Sequence, residues 1–190
     1  FRRVLFRSKI ESQEGIDNID EIIIKSQTMD MFPLTANQLG IYYECMQTDK
    51  IKYNLPSVIR FGSDIDPFKL KQAIIDAIEA HPYMKTRIVT ADDGQLRQKR
   101  CDDIEIDDIE IVEIDSISNK QIMENDITFI PIENNQLFKF KIYKTPAETV
   151  LFNDIHHMIT DGVSIDLFYV DVVNAYEGKS LTEEMIDGFT

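Results

Sequence analysis

Two histidines stand side by side late in the chain, at His156 and His157, and they are followed by Asp161 and Gly162. A neutral imidazole takes up and releases a proton near pH 7, because its unperturbed pKa is about 6.5. A nearby carboxylate can fix the tautomer of such a ring or anchor the turn that carries it. Gly162 permits a tight, positive-φ turn and close approach of another group to the backbone. These four residues are candidates for general acid–base chemistry.

A structural interpretation of the same residues is also open. The two histidines would then be satisfied inside a core, and Asp161 would be the N-cap of the next helix. The full four-residue pattern should arise by chance in a chain this long about once in a few thousand sequences. That rarity favours the functional interpretation.

The flanking residues predict which elements hold the histidine pair. Residues 149–155 form a short apolar run that is typical of a buried strand, and residues 163–176 carry apolar side chains at helical spacing. The pair therefore lies in a loop at a strand end, where rigid elements can hold polar groups toward a cleft.

The remaining elements follow from apolar periodicity and turn signals. Strands are predicted at 54–61, 84–90, 95–100 and 137–143, with an acidic edge strand in 102–115, and helices at 35–46, 66–80 and 118–130. The first helix is predicted to bury the face formed by Leu39, Tyr42, Tyr43 and Met46. The second helix is predicted to bury a stripe formed by Phe68, Leu70, Ala73, Ile74, Ala77 and Ile78.

Composition limits the function classes. The net charge of −14 argues against nucleic-acid binding, because nothing would neutralise the phosphates. No apolar run approaches the roughly 20 residues of a membrane span, and the acids of 102–115 alternate onto the solvent side, which disfavours a metal site. Cys45 and Cys101 lie far apart and form no CxxC pair, so they are predicted to be reduced in a cytoplasmic protein.

The run His156-His157-Met158-Ile159-Thr160-Asp161-Gly162 resembles the HHxxxDG signature of condensation domains of non-ribosomal peptide synthetases. These domains belong to the chloramphenicol-acetyltransferase-like superfamily. The resemblance implies that His157 is the catalytic histidine and that Asp161 is mainly structural and held by a basic residue. His156 and Gly162 would shape the loop.

Three further segments resemble family motifs approximately. Residues 35–43 are similar to an S-x-A-Q segment, in which Gln38 matches, and residues 137–143 are similar to a P-L-F-R segment. Residues 81–89 resemble an R-H-x-x-L-R-T-x-F segment, which makes Lys85 or Arg87 the candidate partner of Asp161. Lysine supplies the charge but not the bidentate fork of arginine. His81, beside a proline, is interpreted as a structural loop histidine.

The resemblance covers residues 32–178 and implies a mixed α/β (α+β) sandwich, one lobe of the chloramphenicol-acetyltransferase-like fold, with helices packed on a largely antiparallel sheet. Residues 1–8 are interpreted as an assembly or sequencing-adaptor artefact, with a basic arm as the alternative, and 9–28 as a linker. Residues 29–180 would be the N-terminal lobe, and 181–190 the start of a linker to a C-terminal lobe that faces it across a channel.

The implied reaction is amide-bond formation between two carrier-protein-bound thioesters. The partners would be the donor and acceptor carrier-protein domains, which carry the phosphopantetheine arms, and the C-terminal lobe. No cofactor or metal is implied for this chain itself. An epimerisation domain, a coenzyme-A-dependent acyltransferase and a non-catalytic, partner-recruiting member remain open as alternatives. A heterocyclisation domain is disfavoured, because it would show aspartates in place of the histidines.

Overall fold

A computed structural model describes residues 31–47, 51–101, 109–128 and 131–182. The strands are β1 (Met31–Pro33), β2 (Asn54–Gly62), β3 (Thr86–Thr90), β4 (Leu96–Arg100), β5 (Glu110–Glu113), β6 (Phe138–Lys144) and β7 (Glu148–His156). The α-helices are α1 (Ala36–Gln47), α2 (Pro67–Ala80), α3 (Asn119–Asp126) and α4 (Gly162–Tyr176), and a 3-10 turn spans Pro82–Lys85. The predicted segments 1–8 and 9–28, and nearly all of 181–190, lie outside the described residues.

The described strands form two sheets. The larger sheet has the order β2-β7-β6-β5, in which only β5 and β6 are parallel, and the smaller sheet has the antiparallel order β1-β4-β3. The predicted hairpin of β3 and β4 turns at Gly94, whose φ of 76° is a conformation that glycine adopts readily. The predicted class, a mixed α/β fold with a largely antiparallel sheet, is confirmed.

Strand β7 is the centre of the larger sheet and is buried along nearly its whole length. Its side chains alternate between two cores, as the period of a strand requires. Leu151 and Ile155 belong to the main core, which α2 and α4 cover, whereas Val150 and Phe152 belong to a second core beneath α3. Because β2 and β6 pair with it on both sides, β7 is a rigid support for whatever follows its last residue.

Helix α2 shows why the local predictions succeeded. Asp66 accepts hydrogen bonds from the backbone N–H groups of Phe68 and Lys69 at 2.8 and 3.2 Å, and Pro67 occupies the first turn. The helix ends at Ala80, one residue before the His81–Pro82 pair. Its predicted stripe is buried with one exception, since Phe68 is 69% exposed.

Two other predictions were wrong in detail. On α1, Tyr42 and Cys45 are buried, whereas Tyr43 and Met46 are 57% and 64% exposed, so the buried face is rotated from the predicted one. Helix α3 ends at Asp126 rather than near residue 130, since Ile127 has an extended backbone; the Asp126 carboxylate contacts Tyr143 and Lys141 of β6. The edge strand predicted in 102–115 is β5; residues 102–108 lie outside the described ranges.

Candidate active site

Residues 156–162, here called the signature loop, connect the end of β7 to the start of α4. The backbone N–H of His156 donates to the carbonyl of Leu137 at 2.8 Å, and that of His157 donates to the carbonyl of Tyr53 at 2.9 Å. The N–H of Ile159 then donates to the His156 carbonyl at 3.1 Å and closes a turn. The backbone of the histidine pair is therefore fixed from both neighbouring strands.

His156 is a buried, neutral histidine. Its Nδ1 accepts a hydrogen bond from the backbone N–H of Met158 at 3.1 Å, so in the neutral ring the proton is on Nε2. Nε2 lies 3.9 Å from the Sγ atom of Cys45 on α1. Burial, with a smaller contribution from the neighbouring His157, lowers the pKa of His156 from 6.5 to about 4. This ring accepts a hydrogen bond from the loop backbone and is unprotonated at pH 7.

His157 has the opposite environment. Its side chain is exposed, and its ring forms no hydrogen bond to any residue that the structure describes. Its backbone, in contrast, is held by Tyr53. The result is an imidazole that is open to an incoming group while its backbone attachment is held in place.

Asp161 caps α4, as the structural interpretation predicts. Its Oδ1 accepts hydrogen bonds from the backbone N–H and the hydroxyl of Ser164, both at 2.9 Å. The Nζ of Lys85 forms an ion pair with Glu79. The pairing of Asp161 with Lys85 or Arg87 stays a prediction.

Gly162 does not adopt the positive φ that its residue type permits. It is the first residue of α4, and only Gly94 and Gly178 have positive φ among the glycines of the described ranges. A Cβ atom at this position would meet no heavy atom within 4 Å. The space beside the loop backbone is therefore open.

His81 is structural, in agreement with its interpretation from the sequence. It is 5% exposed, and its backbone N–H donates to the carbonyls of Ala77 and Ile78 at the end of α2. Its Nε2 lies 3.0 Å from a carboxylate oxygen of Asp171 on α4, and its ring packs at 5.9 Å from that of Phe168. His81 therefore joins α2 to α4.

Sequence reasoning missed the contacts that two polar residues, Gln38 and Asp154, make in and beside the loop. The Nε2 of Gln38 donates to the carbonyl of Met158 and to Oε1 of Gln98, both at 2.9 Å. Asp154 is buried in β7, where burial raises the pKa of its carboxyl and a hydrogen bond from Asn54 opposes the rise. Gln38 was noted as a motif match, but its partner is 120 residues away, and no local pattern indicates such a contact.

Two other kinds of feature are absent from the described ranges. No group of three or more His, Cys, Asp or Glu side chains is arranged to hold a metal ion there. In the same ranges, no helix is long and apolar enough to cross a membrane. The chemistry that this site offers is proton transfer and hydrogen bonding by one exposed imidazole.

Comparison with known proteins places this site in context. Residues 28–189 match the family model described as "Condensation domain". Surfactin synthase subunit 2 of Bacillus subtilis is 24% identical over 165 residues, which are 86% of this chain and 4% of that protein.

Solved structures show the same fold. The starter condensation domain of rhizomide synthetase superposes with a TM-score of 0.69 at 20% identity, over 82% of this chain and 40% of that one. A variant of that domain in complex with C8-CoA gives a TM-score of 0.67 at 18% identity, over 86% and 39%. This chain therefore spans about 40% of the length of such structures.

Proposed function

Because the chain belongs to the condensation-domain family of non-ribosomal peptide synthetases, we propose that it supplies the N-terminal lobe of an amide-forming acyltransferase. The substrates are two thioesters on phosphopantetheine arms, which the carrier-protein partners bring. The amine nitrogen of the acceptor attacks the thioester carbonyl of the donor. A C–N bond forms, the C–S bond breaks, and the donor arm leaves as a thiol with the proton that the amine loses.

One observation carries the proposal: the exposed ring of His157 is attached to a fixed backbone next to the buried, neutral His156. In this position His157 would accept the proton of the amine, or hydrogen-bond the amine and the tetrahedral intermediate. The open space beside Gly162 would let a substrate arm approach the loop. Asp161 would act by capping α4 and so fixing the end of the loop.

The chain spans about 40% of the condensation-domain structures, so the activity is proposed for the complete domain. Positioning two reactants can supply about 7–11 kcal/mol of barrier lowering. His157 is exposed, and among the described residues nothing faces it that could hold two carrier arms. We therefore expect the 190 residues alone to fold but not to catalyse.

The test uses the complete domain with a donor and an acceptor carrier, each loaded with an aminoacyl group. Intact mass spectrometry should show the dipeptidyl group on the acceptor carrier. Acetylation of the acceptor amine should abolish the product, since it removes the nucleophile. Absence of product from the complete domain contradicts the proposed function, and turnover by the 190 residues at a comparable rate contradicts the two-lobe arrangement.

A second candidate uses coenzyme A as the donor arm, and it is favoured by the structural likeness to a starter condensation domain in complex with C8-CoA. The attacking amine and the role of His157 would be unchanged. The same assay separates the two candidate functions when octanoyl-CoA is supplied in place of the loaded donor carrier. Octanoylation of the acceptor, with no product from an aminoacyl donor carrier, would select the second candidate.

A further inference from the structure

Helix α1 contacts the signature loop at two side chains that share one face. Gln38 and Cys45 are seven residues apart, which is close to two helical turns, so both point to the same side of α1. Gln38 reaches the carbonyl of Met158, and Cys45 reaches the ring of His156. The exposed side chains of α1, such as Tyr43 and Met46, lie elsewhere on the helix.

The orientation of the Gln38 amide is determined by its hydrogen bonds. Its Oε1 accepts from the backbone N–H and the hydroxyl of Thr35 at 2.9 and 3.1 Å, while the Thr35 hydroxyl accepts from the Gln38 N–H at 3.2 Å. This is a capping box. Because Oε1 of Gln38 faces Thr35 at the start of α1, the amide N–H groups of Gln38 must face the opposite way. A flipped amide would set oxygen against the oxygens of Met158 and Gln98.

Both amide protons of Gln38 have partners. One is donated to the Met158 carbonyl and the other to Oε1 of Gln98, each at 2.9 Å. Gln98 is 2% exposed and donates in turn to the Pro33 carbonyl at 3.1 Å. A continuous hydrogen-bonded chain thus runs from β1, through β4 and α1, to the signature loop, and every amide atom of Gln38 is used in it.

The hydrogen bond from Gln38 affects the histidine pair through Met158, whose backbone is held at both its carbonyl and its N–H. The carbonyl of Met158 is held by Gln38, and its N–H donates to Nδ1 of His156. His157 lies between these two residues, so its backbone position depends on both bonds and on Tyr53. We propose that Gln38 is a positioning residue for His157, which it holds through the carbonyl of Met158.

The inference concerns the geometry of the loop, and only its kinetic consequence rests on the proposed function. Gln38→Glu tests it, because a glutamate keeps the acceptor that caps α1 but loses both donors. The Met158 carbonyl then faces a carboxylate. Asn37→Asp is the matched control: it makes the same amide-to-carboxylate change one residue earlier, at an exposed position of the same first turn.

Two measurements on the complete domain are expected to change in Gln38→Glu and not in Asn37→Asp. The ring NMR signals of His156 and His157 should shift while that of His81, whose ring contacts Asp171, stays as an internal reference. The kcat of condensation should fall by up to about 100-fold, with KM within about twofold of the parent, because misplacement of about 1 Å can cost that much. A melting temperature close to the parent's would exclude general unfolding.

The outcomes separate the two proposals. Shifted histidine signals without any condensation by the parent domain support the positioning role and contradict the proposed function. Unchanged signals and a kcat within twofold of the parent overturn the positioning role, whatever the parent catalyses. If Gln38→Glu does not fold, the same measurements are made on Gln38→Met. This variant also removes the two amide N–H donors, and it places no charge beside Met158.

Discussion

The two histidines of the signature loop are neighbours in sequence but lie in opposite environments. His156 is 4% exposed and has contacts at both ring nitrogens, whereas His157 is exposed and its ring meets no described hydrogen-bond partner. Strand β7 ends at His156 and His157 begins the turn that follows, so the two rings belong to different elements, one packed inside and the other facing solvent. The inner ring is hydrogen-bonded to the loop backbone, and the outer ring is open to solvent.

The largest expected effect tests the outer ring. His157→Ala in the complete domain should lower the rate of dipeptidyl formation by about 10²–10⁴-fold, the usual contribution of a general acid–base group. Its melting temperature should stay close to the parent's, because the His157 ring has no hydrogen bond to break among the described residues. Intact mass gives the rate and calorimetry the stability. Activity within about twofold of the parent would remove His157 from the mechanism.

The inner ring should appear in the pH dependence of stability. Burial lowers the pKa of His156 from 6.5 to about 4, so the unfolded chain binds a proton more tightly than the folded one. The stabilisation is fully present above pH 6.5 and is lost as the pH falls toward 4. Over the whole range the free energy of unfolding falls by about 3 kcal/mol, of which roughly 1 kcal/mol is lost by pH 5.5.

Urea unfolding at pH 7.5 and 5.5 measures this loss against a matched variant. His156→Asn retains an acceptor near the position of Nδ1 for the Met158 N–H but cannot titrate. The difference in unfolding free energy between the two pH values should therefore be smaller in His156→Asn than in the parent. Equal differences would mean that His156 is solvated, and the contrast between the two rings would fail.

Much of the fold could be predicted, because its signals are local. The capped start of α2, the β3–β4 turn at Gly94 and the strand that leads to His156 all depend on residues close in sequence. Which apolar side chains are buried was less predictable. Phe68 and Tyr43 were assigned to buried faces and are exposed, because tertiary packing decides which apolar residues of a helix meet the core.

The candidate site shows the same limit. Its residue types and spacing, and its place between a strand and a helix, could be read from residues 156–162. The different environments of the two rings could not, since they depend on the residue at which β7 ends and on how α1 packs against His156. The contacts of Gln38 and Cys45 with the loop join residues 120 and 111 positions apart, so only the folded chain brings them together.

A smaller effect is expected at the C-terminal end of the loop. Asp161→Ala removes the N-cap of α4, which typically costs about 1 kcal/mol, so it should lower the melting temperature more than His157→Ala does. Asp161→Asn is the control, because its amide oxygen still accepts from Ser164. Loss of about 3–5 kcal/mol in Asp161→Asn would instead reveal the predicted ion pair with Lys85 or Arg87. If His157→Ala instead melted at a lower temperature than Asp161→Ala, Asp161 would be closer to the chemistry than its capping role implies.

Helix α4, which follows the loop, carries a row of apolar side chains on its exposed face. Its members are 68%, 53%, 56% and 53% exposed and lie on one helical face: Val163, Leu167, Val170 and Val173. The inner side of the same helix carries Phe168 and Val172, which are buried. Exposed apolar rows of this kind promote association.

The smallest expected effect on stability is therefore at this outer row. Leu167→Lys should change the free energy of unfolding by less than about 0.5 kcal/mol, because a surface substitution removes little buried area. It should nevertheless shift the 190-residue chain toward the monomer in sedimentation velocity, since a charge in the middle of the row opposes self-association. Phe168→Ala, one residue further along, is the contrasting variant and should cost about 3–5 kcal/mol. If Leu167→Lys destabilises the chain as strongly as Phe168→Ala, the outer row is part of the core. The contrast between a buried side and an exposed side would then hold for the two histidines but not for α4.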